Sequence, residues 1–456
     1  MRLEPWPKPP PRAAASATTI EGSRDLATDV MTDTIFALSS GSPPAGIAVV
    51  RISGPQAGAA LRALAGRLPE PRWASAVRLR DPGDGALLDR ALALWLPGPG
   101  TATGEDIAEL HLHGGRAIVA AVELVLARLP GLHRAEAGAF TRRAFVNGRI
   151  DLAEAEGLAD LLSAETELQR RSALAMASGA LSRVVEGWRS RVLLLSAAVE
   201  ATLDFADEDD VANVPIGISP DCHKLAGELE GWLRRPRAEL LRDGYKVVFA
   251  GPPNSGKSSL FNALVESEAA IATPIPGTTR DVLTRPVALE GIPFVFADTA
   301  GQRLDSPDPI ERIGIERALA ASGAADLVLW LGPADARPGG AWQLAPQCDR
   351  VDREVVADPR HAVSALTGEG LDALRADLAA TAREAMPAPG EVALGQRQHR
   401  LLGNCRGAIA DAADAPDPLI AAEHLRFARV ALDRMVGRSG TEDMLDALFG
   451  RFCIGK

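Results

Sequence analysis

The chain has 456 residues, 46% of them hydrophobic and 24% charged, with a formal net charge of −11. That length exceeds what one hydrophobic core serves, so about two to four domains are expected. The acidic balance excludes a broad basic surface for coating nucleic acid and leaves room only for a local patch.

Residues 1–30 are a Pro/Ala-rich lead-in whose composition cannot bury enough surface to fold, and disorder is expected there. Met31 precedes the first well-patterned segment and is the expected natural start. The N-terminus lacks the apolar core of a secretory signal. Residues 31–149 read as α/β, with strands over 47–52 and 91–96 and a helix over 117–129 ended by Pro130-Gly131. From 152 to 203 the pattern is a long Ala/Leu/Glu/Arg helical stretch with few breakers. It runs into the acidic Asp204-Phe205-Ala206-Asp207-Glu208-Asp209-Asp210, either a solvated cluster at a helix end or a cation site. Another helix is expected over 221–241. After Pro387 the reading is helical again, over 396–411, 419–436 and 442–449. Residues 150–241 and 387–456 therefore read as two halves of one all-α domain, with a P-loop α/β domain, 242–386, inserted between them. The four cysteines, Cys222, Cys348, Cys405 and Cys453, form no CxxC pair. This fits a reducing, cytoplasmic setting. No uncharged apolar run reaches the about 18 residues of a membrane span.

The inserted domain carries the most specific signal. Gly251-Pro252-Pro253-Asn254-Ser255-Gly256-Lys257-Ser258 follows the apolar Tyr245-Lys246-Val247-Val248-Phe249-Ala250 and runs into Ser259-Leu260-Phe261, which has helical spacing. A strand, a glycine-bounded loop and a helix N-terminus aim backbone N–H groups at phosphate oxygens. Lys257 reaches the β/γ phosphates and Ser258 can hold Mg²⁺. Next comes Gly277-Thr278-Thr279-Arg280-Asp281, placed as a switch loop. A hairpin turning at Glu290-Gly291 then delivers Asp298-Thr299-Ala300-Gly301. There Asp298 can bind Mg²⁺ through water, the Gly301 N–H can meet the γ-phosphate, and Thr279 can close over the metal. Ser364-Ala365 is similar to a backbone loop that contacts guanine. This ordered set describes a Ras-like nucleotide switch.

Its base-reading element is altered. Where Asn-Lys-x-Asp is expected, the chain has Pro346-Gln347-Cys348-Asp349. Asp349 can still accept from the guanine edge, but the carboxamide is gone and Gln347 replaces the lysine stem. Losing one such hydrogen bond costs about 1–3 kcal/mol, so weaker affinity and relaxed base selectivity are expected. Asp349 also reads as an ordinary acidic turn. The segment 332–341 is too short for the helix that usually separates the neighbouring strands.

At these residues the chain resembles the tRNA-modification GTPase family known as MnmE or TrmE. The resemblance rests on Asn254, Gly277-Thr278-Thr279-Arg280-Asp281 and Glu311-Arg312-Ile313-Gly314-Ile315-Glu316. It extends to Arg51-Ile52-Ser53-Gly54, Thr103-Gly104-Glu105-Asp106, His113-Gly114-Gly115, the run from Phe145 to Glu156, and the terminal Phe452-Cys453-Ile454-Gly455-Lys456. It implies that K⁺ takes the place of an arginine finger, held by Asn254, Thr273, Ile275 and Thr278. It implies Mg²⁺ on Ser258 and Thr279, with Ser255, Gly256, Lys257, Ser259, Asp298, Thr299, Ala300, Gly301, Asp349, Ser364 and Ala365 around the nucleotide. Glu311 matches the family's water-orienting glutamate, although an acid favoured by a helix N-terminus reads the same way. Gln302 departs from the family and stands where Ras-type switches keep their glutamine, so both are catalytic candidates.

The resemblance further implies an α+β N-terminal domain like tetrahydrofolate-binding domains. It would hold a 5-formyl- or methylene-tetrahydrofolate through Arg51, Glu109, Arg149 and Lys456. Structural ion pairs are the alternative for those four. Cys453 is implied in tRNA modification, or is simply a small buried residue. His111 and His113 read as strand residues rather than metal ligands. The implied assembly is a homodimer that joins an FAD-dependent GidA/MnmG-type partner in a heterotetramer, acts on tRNA, and involves no membrane. Two alternatives stay open: a ribosome-assembly GTPase, and a scaffold with degenerate guanine specificity.

Overall fold

The computed structural model describes residues 33–204, 217–252, 254–266, 283–298, 325–352, 355–439, 442–450 and 452–455. The lead-in and most of the acidic run 204–210 lie outside these residues. Contacts divide the chain into two units, Met1–Ala159 with Val436–Lys456, and Asp160–Met435.

The first unit is built on strands β1 (Thr34–Leu38), β2 (Ala45–Ser53), β3 (Ser75–Arg80), β4 (Leu87–Leu96), β5 (Ile107–Gly114) and β6 (Leu132–Arg134), in the order β3-β4-β5-β2-β1-β6. All neighbours are antiparallel except β1 and β6. Alternation of apolar and polar residues puts Val50, Ile52, Ala91, Ala93, Leu110 and Leu112 on one face. There they pack with Leu61 and Leu64 of helix Ala57–Ala65 and with Val122 and Leu126 of helix Arg116–Arg128. Strand β1 is buried on both faces. Phe36 joins that core, while Ile35 and Ala37 meet Ala135 and Phe140.

The end of the chain belongs to this unit. Helix Glu442–Phe449 brings Phe449, with Phe452, against Leu152 and Ala155. Ile454 then bridges Ala137 in antiparallel fashion. Two glycines permit the close approach. A Cβ on Gly138 (φ 70°) would sit 2.3 Å from the Phe449 carbonyl oxygen, and one on Gly455 (φ 93°) 2.1 Å from that of Leu38. Contacts group Val436–Lys456 with the N-terminal unit.

In the second unit, β7 (Tyr245–Ala250), β8 (Leu283–Leu289), β9 (Ile292–Asp298), β10 (Leu327–Trp330), β11 (Trp342–Ala345) and β12 (His361–Ala362) form a sheet ordered β12-β11-β10-β7-β9-β8. It is parallel apart from the hairpin β8–β9, which turns at Glu290 (φ 48°) and Gly291 (φ 77°). Two successive positive φ values match the right-handed twist of the paired strands. Between β10 and β11 there is only the short turn Ala334–Ala336, as the segment's length foretold.

Helices Ala180–Asp204, Ser219–Leu233, Gln396–Ala413 and Pro418–Met435 pack into a bundle drawn from both sides of this sheet in sequence. Trp188 meets Trp232 edge-on at 5.3 Å, and Arg189 reaches Asp433 at 2.7 Å. The helical stretch expected over 152–203 is made of three helices. It breaks into Leu152–Ser163, Glu167–Ala177 and Ala180–Asp204, because Thr166 starts a new helix with a capping box and Gly179 (φ 75°) ends the second. The helix expected over 221–241 also divides, into Ser219–Leu233 and Ala238–Asp243, on either side of Pro236.

Candidate functional site: a phosphate cradle with a lightly built base end

Strand β7 is buried on both faces, so its last residue, Ala250, leaves the sheet at the carboxyl edge, where open α/β sheets bind ligands. The Leu331 N–H donates to the Ala250 carbonyl at 2.8 Å and locks that edge. The loop then turns through Gly251 (φ 150°), Asn254 (φ 62°) and Gly256 (φ 93°) into helix Lys257–Glu266. A Cβ on Gly251 would lie 3.0 Å from the Leu331 carbonyl carbon, so glycine is required.

Lys257 is only 7% exposed, and its ammonium donates to the carbonyls of Gly251 (2.9 Å) and Pro252 (2.7 Å). A buried charge held by its own loop is thus fixed at the mouth of the cradle. The Ser255 hydroxyl is buried without a hydrogen-bond partner. An orphaned donor beside a helix N-terminus and a lysine suits an anionic oxygen. Ser258, Ser259 and Asn254 are exposed around the same turn.

The base end converges on this cradle. Gln347 adopts φ 56°; its Nε2 and the Pro346 Cβ lie 3.7 and 3.8 Å from the position of a Cβ on Gly256. The Cys348 N–H donates to the Val363 carbonyl at 3.1 Å, which ties this loop to the segment bearing Ser364 and Ala365. Ser364 is fully buried, and its hydroxyl accepts from the N–H groups of Leu366 (3.2 Å) and Thr367 (3.1 Å). Its side chain therefore shapes the turn, and its own N–H and carbonyl are bonded within the same turn, to the Glu369 carbonyl (2.9 Å) and the Gly368 N–H (3.0 Å). Asp349 is exposed. Strand β9 ends at Asp298, level with Phe249 of β7. The structure thus brings together Asn254 through Ser259, Gln347, Asp349, Ser364 and Ala365, with the end of β9 beside them. Thr273, Ile275, Thr278, Thr279, Thr299, Ala300, Gly301, Gln302, Glu311 and Lys456 lie outside the described residues.

In the first unit, Arg51 and Glu109 are direct cross-strand partners on β2 and β5. The Arg51 Nε and a terminal nitrogen donate to Glu109 Oε1 at 3.0 and 2.9 Å, and the guanidinium lies 5.8 Å from the Phe140 ring. Burial pushes the Glu109 carboxyl up, but His111 and Arg51 together outweigh it and hold it below the usual value. His111 Nε2, 3.5 Å from Glu109 Oε2, is buried without a well-formed hydrogen bond. His111, read from strand alternation as structural rather than metal-binding, lies on β5 facing this carboxylate. His113 binds the nearly buried Asp89 at 2.7 Å. No metal-binding group of three or more His, Cys, Asp or Glu occurs among the described residues.

Arg149 runs its stem along Gly104, whose added Cβ would be 3.3 Å from it. The loop bearing Gly104 is held by Arg143, a residue the sequence did not single out. Its buried guanidinium donates to the carbonyls of Asp33 (3.1 Å) and Ser53 (3.2 Å), to Glu105 (2.9 Å) and to the Asp33 carboxylate. The signal was available: a basic pair, Arg142-Arg143, on an otherwise apolar turn, and an acidic Thr103-Gly104-Glu105-Asp106 loop to receive it. In the tail, Cys453 is exposed and the Gly455 carbonyl accepts from the Ser39 hydroxyl at 2.8 Å.

Comparison with known proteins gives the family. The MnmE helical-domain model matches residues 152–453, and the model of the N-terminus of GTP-binding protein TrmE matches residues 34–149. The tRNA modification GTPase MnmE of Novosphingobium aromaticivorans is 62% identical over 437 residues, covering 93% of this chain and 100% of that protein. Its counterpart in Erythrobacter litoralis is 61% identical over 424 residues, with coverage of 93% and 100%. Among solved structures, the G domain of the T. maritima FeoB iron transporter is 26% identical, covering 30% of this chain and 98% of that one, with a TM-score of 0.22. The two matching family models and the full-length relatives place this chain in the tRNA modification GTPase family MnmE.

Proposed function

We propose that the protein is a K⁺-activated, Mg²⁺-dependent GTPase acting in tRNA modification. With an FAD-dependent partner of the GidA/MnmG type, it adds an aminomethyl or carboxymethylaminomethyl group to C5 of the wobble uridine of certain tRNAs. The carbon comes from a one-carbon tetrahydrofolate. The observation that carries the nucleotide half is the buried Lys257, held by loop carbonyls where β7 meets a helix N-terminus.

In this reading Lys257, the loop N–H groups and the Ser255 hydroxyl grip the phosphates, and Asp349 with the Ser364-Ala365 backbone meets the base. Ser258 and Thr279 would hold Mg²⁺, with Asp298 reaching it through water; Asn254, Thr273, Ile275 and Thr278 would hold K⁺. Bound there, the two cations would supply positive charge against the oxygens that gain charge as the β–γ bridge breaks. Glu311 orients the attacking water, with Gln302 as the rival for that role. The protein works as a homodimer, in the cytoplasm, and in a heterotetramer with its partner. No helix among the described residues is long and apolar enough to cross a membrane.

For the folate, the fit rests on the half-buried Arg51–Glu109 pair and the orphaned His111 nitrogen beside it. A carboxylate suits the N–H edge of a pterin, and cations such as Arg51, Arg149 and Lys456 suit the glutamate tail. Cys453, exposed on the same unit, is available to the modification chemistry.

GTP hydrolysis measured in K⁺ and in Na⁺ tests the proposal. Turnover that is fast in K⁺ and slow in Na⁺ is expected. Equal, negligible rates would favour the scaffold reading, for which the Pro346-Gln347 substitution at the base end is the one supporting observation. Glu311→Ala and Gln302→Ala, compared under K⁺, assign the water-orienting residue.

A further inference from the structure

Strand β12 is two residues long and forms the edge of the nucleotide-binding sheet. Its ladder pairs only Leu344 with His361 and Ala345 with Ala362, flanked by Arg360 N–H to Gln343 O (2.8 Å) and Val363 N–H to Ala345 O (2.9 Å). So short an edge has little of its own to hold it in place. Yet the residues leaving it, Val363, Ser364 and Ala365, form one wall of the base end. The Val363 carbonyl is the acceptor that ties down Cys348.

Side chains do what the ladder cannot. Asp377, on helix Leu371–Ala385, receives a two-pronged bond from Arg360, Nε to Oδ2 at 2.7 Å and a terminal nitrogen to Oδ1 at 3.0 Å. The same Oδ2 meets His361 Nε2 at 2.8 Å. The Arg360 guanidinium also lies 3.8 Å over the ring of Trp342, which is 7% exposed on β11. One carboxylate thereby gathers β11, β12 and the last helix of the domain. The hydrogen bond from Arg360 comes first among the causes that hold Asp377 below the usual carboxylate range. His361 and Asp377 are 14% and 28% exposed while Arg360 is 47% exposed, so the His361 bond is the better shielded from water and the two-pronged Arg360 bond draws its strength from geometry rather than burial.

We propose that Asp377, Arg360 and His361 form a positioning clamp for the base end. It fixes the Val363-Ser364-Ala365 turn against the Cys348 loop and so sets the preference for guanine over adenine. The motif residues on the other wall are reduced to Asp349, so the remaining discrimination depends on where this turn stands. The inference rests on the guanine-nucleotide reading above.

The test uses the full chain and four variants: Asp377→Asn, Asp377→Glu, Arg360→Lys and, as a control on the same helix, the exposed Asp372→Asn. GTP and ATP affinities, kcat, KM and thermal unfolding are measured for each. For Asp377→Asn, GTP affinity falls about five- to thirtyfold, as expected for losing one or two charge-assisted bonds. ATP affinity stays within about twofold, and kcat at saturating GTP stays near that of the parent, because the phosphate cradle is untouched. Asp377→Glu recovers part of the GTP affinity, Arg360→Lys loses an intermediate amount, and Asp372→Asn changes nothing. If GTP and ATP affinities fall by the same factor, or neither moves, the clamp is overturned. A parent protein that binds GTP and ATP equally would instead remove the guanine reading, before any variant is examined. Should Asp377→Asn fail to fold, the gentler Arg360→Lys decides by the same selectivity ratio.

Discussion

The phosphate end and the base end of the nucleotide site are built on different principles. At the phosphate end, recognition rests on backbone: a glycine that a Cβ would force out of place, a helix N-terminus, and a lysine tied to two loop carbonyls. At the base end, as proposed above, it would rest on side chains of an exposed loop, Asp349 among them. Backbone donors survive substitution because every residue but proline supplies one. Side-chain donors do not. This chain therefore has Pro346-Gln347 in place of an Asn-Lys pair at one end while the other stays recognisable. The N-terminal unit repeats the contrast, with a glycine-fitted tail on one side and an Arg51–Glu109 pair on the other.

The sharpest way to break this distinction is to remove the charged side chain of the phosphate end. Lys257→Ala should lower kcat/KM for GTP by about 10²–10³, the scale of losing a preorganised charge at a developing anion. The circular dichroism spectrum should be unchanged. A loss below about tenfold would mean that backbone groups suffice without the lysine.

A second effect, on stability rather than turnover, comes from the backbone-fitted tail. Gly455→Ala places a Cβ 2.1 Å from the Leu38 carbonyl oxygen at a positive φ. Left-handed strain of about 1–2 kcal/mol adds to a steric cost of about 1–3 kcal/mol. The tail should release, read as faster amide exchange at Ala137 and Ile454. Thiol labelling supplies the internal standard. Burial pushes the Cys222 and Cys405 thiols up to about 11 and about 12, so both should resist a maleimide while exposed Cys453 reacts.

The same distinction explains what was legible in the sequence. The strand, loop and helix of the phosphate cradle were readable, because glycine spacing and an apolar strand are local signals. The hairpin at Glu290-Gly291 and the chain order of the two helical halves were readable for the same reason. The breaks at Thr166, Gly179 and Pro236 were each visible as single residues, but Ala/Leu/Glu periodicity on both sides masked them. Long-range partners were not legible. The basic pair Arg142-Arg143 and the acidic loop 103–106 are visible, but no local pattern says that Arg143 is the one buried against Asp33, Ser53 and Glu105, or that the last helix groups with the first unit. Such contacts depend on register and topology, to which periodicity is blind.

At the base end a smaller loss is expected. Asp349→Ala should weaken GTP binding by about 1–3 kcal/mol, roughly five- to 150-fold, and leave ATP binding nearly as it was. Equal losses for both nucleotides would mean that Asp349 shapes the loop and reads nothing. No loss for either would make the base end a feature of fold alone.

The smallest effect is the acid response of the Arg51–Glu109 pair. Glu109 has its carboxyl held below the ordinary 4.5 in the folded protein, against the opposing push of burial. A depressed folded value means that its contribution is fully present above the unfolded pKa and is lost as pH falls through the folded one. Protection of the β2 and β5 amides should therefore be flat from about pH 7 to about pH 5 and decline in the acid range below. Glu109→Gln removes the titrating group, so the difference in protection between parent and variant should narrow as the pH drops. A difference that stays constant to about pH 3 would show that the variant is weakened by packing alone. The carboxylate–guanidinium bond would then contribute nothing that protons can remove, and this side-chain pair would behave like the backbone-fitted regions.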